Sequence, residues 1–330
     1  MNDRAVELLE QYEIEVLRTR KGRGAIICDT HQGCMIFREY SGSQDKIELQ
    51  NRLLGQIAEA GLVHVEAIVP NREGALFVRD GDGVKYVLKT WQEGRECCIH
   101  DREECREAVR ILARLHENML IMPDGQEMPK VFSPGKEYEK RNRELKRVRK
   151  YLQQKKQKTW FELSLRGVLD AFLEQALRVT EEWGKYEPVF ADQRPGEEEA
   201  VSFCHGDYQY HNILQGAGSW FVVNFEKCIR DNPVRDLYLL LRKLLEKGNW
   251  SIPLGMDLLE TYEKERMITA PGWIDLYYRL AYPEKFWKIV NFYYNSGKAW
   301  IPGKNQEKLE RVIAQEKEKQ RFLDEVFRKV

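Results

Sequence analysis

One polar stretch held between apolar runs constrains this chain more than any other: Phe203-Cys204-His205-Gly206-Asp207-Tyr208-Gln209-Tyr210-His211-Asn212-Ile213-Leu214, followed by Phe221-Val222-Val223-Asn224-Phe225-Glu226. The apolar flanks read as strand ends, so the polar residues between them must form a tight loop. Four residues separate the acid Asp207 from the amide Asn212, and a loop that short presents both to one point in space. Ile213-Leu214 and the strand-like Trp220 to Val223 predict a hairpin whose far end returns Asn224 to the neighbourhood of Asn212. A carboxylate beside amide oxygens suits phosphoryl transfer, in which an acid takes a hydroxyl proton and oxygen ligands hold Mg²⁺ against the phosphates.

At 330 residues the chain is long enough for two lobes with a substantial core. Lys+Arg and Asp+Glu number 53 each. The zero balance argues against a non-specific grip on nucleic acid or an anionic membrane. No apolar run approaches the ~20 residues of a membrane span, and the start, Met1-Asn2-Asp3-Arg4, does not read as a targeting signal. The expected protein is soluble and cytoplasmic. Its seven cysteines (28, 34, 97, 98, 105, 204 and 228) form no CxxC pair and no zinc spacing. They read as reduced thiols.

Along the chain, Val6, Leu9, Ile14 and Leu17 predict an amphipathic helix leading into a first strand. Strand-like runs follow at 15–19, 25–28 and 34–37. The loop Arg20-Lys21-Gly22-Arg23-Gly24 between the first two fits either a phosphate-approaching turn or a plain basic hairpin. Ser43 predicts a helix cap, with Ile47, Leu54, Ile57 and Ala58 on the buried face. Residues 63–69, 75–79 and 86–91 read as strands, the last running into Gln92-Glu93-Gly94. Asp101 predicts another cap, with Glu104 placed for a variant capping box; Cys105, Ala108, Leu112 and Leu115 lie inward, and His116 reads as a core histidine. Beyond a loop at 122–135, two helices predict a helical hairpin whose basic face, interrupted by Glu137, Glu139 and Glu144, is solvated. An acidic linker at 192–199 leads to the catalytic stretch. From Leu237 a core helix is expected with Arg242 and Lys243 facing solvent. The last third is helical, ending in a charged helix over 305–328.

His205-Gly206-Asp207 with Asn212, Asn224-Phe225-Glu226, Asp231-Asn232-Pro233 and Asp236-Leu237 resemble the phosphotransferases of the aminoglycoside/choline/homoserine kinase type. Tyr282-Pro283-Glu284-Lys285-Phe286-Trp287-Lys288, Asn291-Phe292-Tyr293-Tyr294-Asn295 and Lys298-Ala299-Trp300-Ile301-Pro302 narrow the resemblance to the CotS branch, the spore-coat-associated kinase-like proteins of endospore-forming bacteria. The resemblance covers most of the chain. It implies an α+β, bilobal protein-kinase-like fold: a small β-sheet lobe over 1–92 that binds nucleotide, then a large, mainly helical lobe over 93–330.

The same resemblance assigns roles. Asp207 is the expected base, His205 and Asp236 brace its loop, and Asn212 and Asn224 face Mg²⁺. Arg38 stands where a lysine is expected to hold ATP phosphates, Glu48 is its expected acidic partner, and Trp91 lies beside the hinge that would meet the adenine. Lys298, Trp300 and Lys304 are candidates for the acceptor side. Two positions depart from the pattern. Arg38 is bulkier and more planar than lysine, and Asn224 stands where active relatives carry a metal-binding aspartate, removing a charge that a hard cation prefers. Two functions follow: ATP-dependent transfer to a small-molecule hydroxyl, or a catalytically silent binding component deposited in the spore coat with other coat proteins. Oxidative cross-linking of the cysteines would belong to the second.

Overall fold

A computed structural model of the chain describes residues 7–22, 24–122, 129–192, 200–216, 218–295 and 303–328. Two compact units emerge. The first comprises Met1–Met122, Ala200–Ile229 and Lys264–Arg266; the second comprises Pro123–Glu199, Arg230–Glu263 and Met267–Val330. Three segments of sequence thus build the first unit, and the polar stretch around Asp207 belongs to it together with the amino-terminal third.

Among the described residues the first unit begins with helical Glu7 and a 3-10 turn, Leu8–Gln11, so the expected helix stops short of Ile14 and Leu17, while its start, with Val6, lies outside the described residues. Tyr12 turns extended at its end and is fully buried, which draws the backbone out of the helix and into β1 (Val16–Gly22). β2 (Ala25–Thr30) and β3 (Gly33–Glu39) continue an antiparallel meander. Helix α1 (Gln44–Ala60) follows, with Ser43 accepting from the Lys46 N–H at 3.2 Å and left-handed Gly61 closing it. β4 (His64–Val65), β5 (Ile68–Val69), β6 (Val78–Arg79), β7 (Lys85–Thr90) and β8 (Arg95–Glu96) come next. The main sheet runs β1-β2-β3-β7-β5, with β6 also on β7.

Side chains alternate across this sheet, as strand geometry dictates. One face packs Met35, Phe37, Tyr86 and Leu88 against Leu9 and Tyr12. The other packs Ala25, Ile27 and Ile36 with Trp91, Leu214 and Val223. Each fully buried large apolar side chain contributes about 1.5–3 kcal/mol. Because Ile36 faces Lys89 and Arg38 faces Val87, Arg38 and Lys89 share the second face.

Helix α2 (Arg102–Asn118) carries Asp101 as its cap, accepting from the Glu104 N–H at 3.0 Å. The Glu104 carboxylate turns to the Cys98 N–H at 2.8 Å and to Arg95. His116 is wholly buried in this helix. β9 (Leu120–Ile121) pairs with β10 (Val201–Cys204). β11 (Ile213–Gly216) and β12 (Ser219–Val222) form the expected hairpin, with Ile213 opposite Val222.

In the second unit, α3 (Pro134–Gln154) and α4 (Trp160–Asp192) pack as the expected helical pair, and Asn142 donates to Thr180 Oγ1 at 2.7 Å. α5 (Val234–Lys247), α6 (Ile252–Glu265), α7 (Ala270–Ala281), α8 (Glu284–Asn295) and α9 (Gly303–Val326) complete it. Arg242 corrects its expected solvent position: it lies over the Tyr238 ring and pairs with Glu246 inside the unit. Its long apolar stem packs in the core while the i,i+4 acid satisfies its charge. Among the described residues no helix is long and apolar enough to cross a membrane.

Candidate functional site

Two backbone features bring the polar loop and the turn after β12 together. Gly206 has φ +80°, and a Cβ there would lie 2.0 Å from the Lys227 carbonyl oxygen. Only glycine permits both the left-handed backbone and that approach. His205, fully buried, bridges the same two segments. Its Nε2 lies 2.9 Å from the Val223 carbonyl, and its Nδ1 accepts the Asp207 N–H at 3.2 Å, which sets Nε2 as the protonated nitrogen. Tyr208 anchors the loop on α2 by donating to the Ala108 carbonyl at 2.8 Å.

Asp207 is held at both carboxylate oxygens. Gln209 Nε2 donates to Oδ1 at 2.8 Å, and Lys227 Nζ lies 2.9 Å from Oδ2. Its side chain stays 20% exposed, so the acid remains open to solvent. Asn212 is buried and donates to the Asp207 carbonyl at 2.8 Å. Asn224 has come back beside it, as the hairpin predicted, and donates from Nδ2 to Asn212 Oδ1 at 2.7 Å. Asn224 is left-handed (φ 69°), a conformation asparagine tolerates better than most residues. There the extended chain ends and a 3-10 turn, Phe225–Lys227, begins. Strand alternation therefore does not govern Glu226.

Arg38 meets this group from the sheet. Its Nη1 donates to Asn224 Oδ1 at 3.2 Å and lies 3.4 Å from Glu226 Oε1. Glu226, and not Glu48, is the acid beside Arg38. Glu48 sits on the exposed side of α1, where Ile47 and Gln50 take the buried positions. Its carboxylate accepts from Gln44. Trp91 is a core residue packed with Ile27, Ile36, Leu214 and Val223. Asp236 lies fully buried in the first turn of α5, in the second unit. Lys304 is exposed at the start of α9; Lys298, Trp300, Arg23 and the linker at 193–199 lie outside the described residues.

Sequence reasoning missed the centre of the site. Lys89, 1% exposed, lies between Glu66 at 2.8 Å and Glu226. β12 pairs in parallel with β4, placing Val222 beside Val65, and this carries Glu66 alongside the turn. Glu66 then accepts the Asn224 N–H at 2.9 Å and the Phe225 N–H at 3.0 Å. Burial disfavours charge on Lys89, but the two carboxylates outweigh it and raise its pKa. Burial likewise opposes ionisation of Glu226, yet Lys89 and then Arg38 hold its carboxyl below the usual carboxylate range. The one signal in the sequence was a lysine inside the apolar run Tyr86-Val87-Leu88-Lys89.

These residues do not fit a hard divalent cation. The Asn212 and Asn224 side-chain oxygens each accept a hydrogen bond, and the positive Arg38 stands at the second of them. A Mg²⁺ ion there would meet a guanidinium in place of the carboxylate it prefers. Among the described residues no group of three or more His, Cys, Asp or Glu is placed to hold a metal.

The structure is similar to an aminoglycoside phosphotransferase from Alicyclobacillus acidocaldarius, with TM-score 0.82 and 19% identity over 97% of this chain and 94% of that one. It is also similar to spectinomycin phosphotransferase APH(9)-Ia, solved with ADP and spectinomycin (TM-score 0.59, 15% identity, 95% and 92% covered). A microcompartment-associated aminopropanol kinase gives TM-score 0.56 at 14% identity, with 97% and 96% covered. The architecture is the expected α+β, bilobal protein-kinase-like fold. In sequence, 133 residues are 29% identical to spore coat protein S of Bacillus subtilis, a match spanning 39% of this chain and 38% of that protein. The family described as "Spore coat putative kinase YutH" matches residues 5–326, nearly the whole chain, and the protein belongs to it.

Proposed function

We propose that the chain is a kinase-like component of the spore coat that binds a nucleoside phosphate such as ATP and transfers its phosphoryl group to a small-molecule hydroxyl weakly or not at all. The observation that carries this reading is Asn224. An amide stands where the resemblance expects a metal-binding acid, and its oxygen is joined to Arg38. Phosphoryl transfer relies on metal to neutralise charge developing on the phosphates, and this side-chain set opposes that metal. Arg38, partly exposed beside the hinge strand, supports binding of an anionic ligand. Coat association rests on the family and on the likeness to spore coat protein S.

One observation favours a residual transferase. Asp207 keeps a partly exposed carboxylate, held at both oxygens by Gln209 and Lys227, which supports a role as general base. In that reading Asp207 takes the acceptor hydroxyl's proton, while His205 and the backbone hold its loop.

Thermal unfolding with and without ATP, paired with a phosphoryl-transfer assay, tests the proposal. Ligand at 100 times Kd should add about 2.7 kcal/mol of stability, with transfer at background in the wild type. Asn224→Asp should raise any transfer. No stabilisation by ATP would remove the nucleotide reading. Wild-type turnover within the usual kinase range, about 1–100 s⁻¹, would make the protein an active transferase.

A further inference from the structure

We infer that Arg38 takes the place of the divalent ion, so that this chain binds nucleoside phosphate without metal. The inference rests on the nucleotide reading above and adds to it the source of the positive charge.

Two cations and two carboxylates, Lys89 and Arg38 with Glu66 and Glu226, form one contiguous group. Lys89 is 1% exposed and held on both sides by acids. It serves the fold and presents no charge to a ligand. Arg38 is 31% exposed. Both its contacts run through Nη1, to Asn224 Oδ1 and Glu226 Oε1, which leaves the rest of the planar fork for phosphate oxygens. Asn224 completes the arrangement. An aspartate there would give Arg38 a second carboxylate beside Glu226, whereas the neutral amide orients the guanidinium by one hydrogen bond and adds no negative charge. Lys227, mostly exposed and paired with Asp207 at 2.9 Å, places a second cation on the same unit. A metal entering this set would face Arg38 at the Asn224 oxygen.

Calorimetric titration of the full chain with ADP, once with Mg²⁺ and once with EDTA, separates the possibilities. Equal affinity in both conditions, with Arg38→Gln weakening both by about tenfold or more, is the expected result. Affinity at least tenfold greater with Mg²⁺ would overturn the inference and leave the nucleotide reading standing. Failure to bind in either condition would remove the nucleotide reading and this inference together. Arg38→Gln binding as tightly as the wild type would also overturn it. Should Arg38→Gln fail to fold, Arg38→Lys keeps the charge; metal-free binding at reduced affinity supports the inference, and metal-dependent binding in that variant overturns it.

Discussion

Each unit buries a cation between two carboxylates, and the two centres differ in what surrounds them. In the second unit Arg279 lies 3.0 and 3.1 Å from the two Asp231 oxygens and 2.7 Å from Asp275, while Arg235 closes Asp231 at 2.9 Å. In the first unit Lys89 lies between Glu66 and Glu226, with Arg38 as the second cation. The charge count is the same, two against two. The Arg279 centre is the more closed of the two, because Arg279 and both its acids are buried and only Arg235, 20% exposed, reaches its rim. The Lys89 centre is open on one side, where Glu226 and Arg38 reach solvent and where Asn224 and Asn212 adjoin. A buried ion pair by itself therefore says little about function; an incompletely enclosed one beside polar groups that face a common point says more.

Breaking the closed centre should cost most. Arg279→Met leaves buried Asp275 without its cation and Asp231 with Arg235 alone, and about 3–5 kcal/mol of unfolding free energy should be lost in urea titration. Lys89→Met should cost roughly 2–4 kcal/mol, because the partly exposed Glu226 can turn to water and Arg38 remains beside it. Equal losses in the two variants would show that the open side of the Lys89 centre confers no relief.

Acid gives a third probe. Glu284 is largely buried, and although burial opposes its ionisation, Lys288, Arg242 and Arg141 hold its pKa far below the ordinary carboxylate value. Its stabilisation is present above the unfolded-state pKa of about 4.3 and is lost as pH falls toward the depressed folded-state value. Glu284→Gln should cost roughly 2 kcal/mol at neutral pH, with the gap from wild type narrowing below about pH 4. A gap that stayed constant into acid would sink the assignment. The smallest effect on stability should come from Arg38→Gln, under about 1 kcal/mol, while ligand binding falls. A large stability loss there would place Arg38 with the closed centre.

The legible parts of this molecule were the ones written in neighbouring residues. The hairpin of β11 and β12, and with it the meeting of Asn212 and Asn224, follows from two apolar runs and a turn. Ser43 and Asp101 cap their helices as their positions implied. What stayed hidden depends on pairing across long stretches. Glu66 reaches the site only because β4 lies parallel to β12, and nothing in periodicity announces that partnership. Glu48 was expected beside Arg38 on the family resemblance, yet its side of α1 faces water and Glu226 takes that place. Arg242 looked solvated although its acid Glu246 and its aromatic platform Tyr238 lie one turn away on either side of it in the same helix, because only packing of α5 covers that face.

The parallel pairing of β4 with β12 also bears on how this protein is made. The Glu66 carboxylate and the Asn224 N–H it receives lie 158 residues apart. Joining them requires closure of a long loop, which slows folding more than it weakens the finished structure. During synthesis the amino-terminal sheet can emerge and collapse well before residue 224 leaves the ribosome, leaving the Glu66 and Lys89 charges waiting in a half-built interior. Chains truncated before β12 should therefore be sticky intermediates in need of chaperones, and the finished site marks a chain that has been read to its last third.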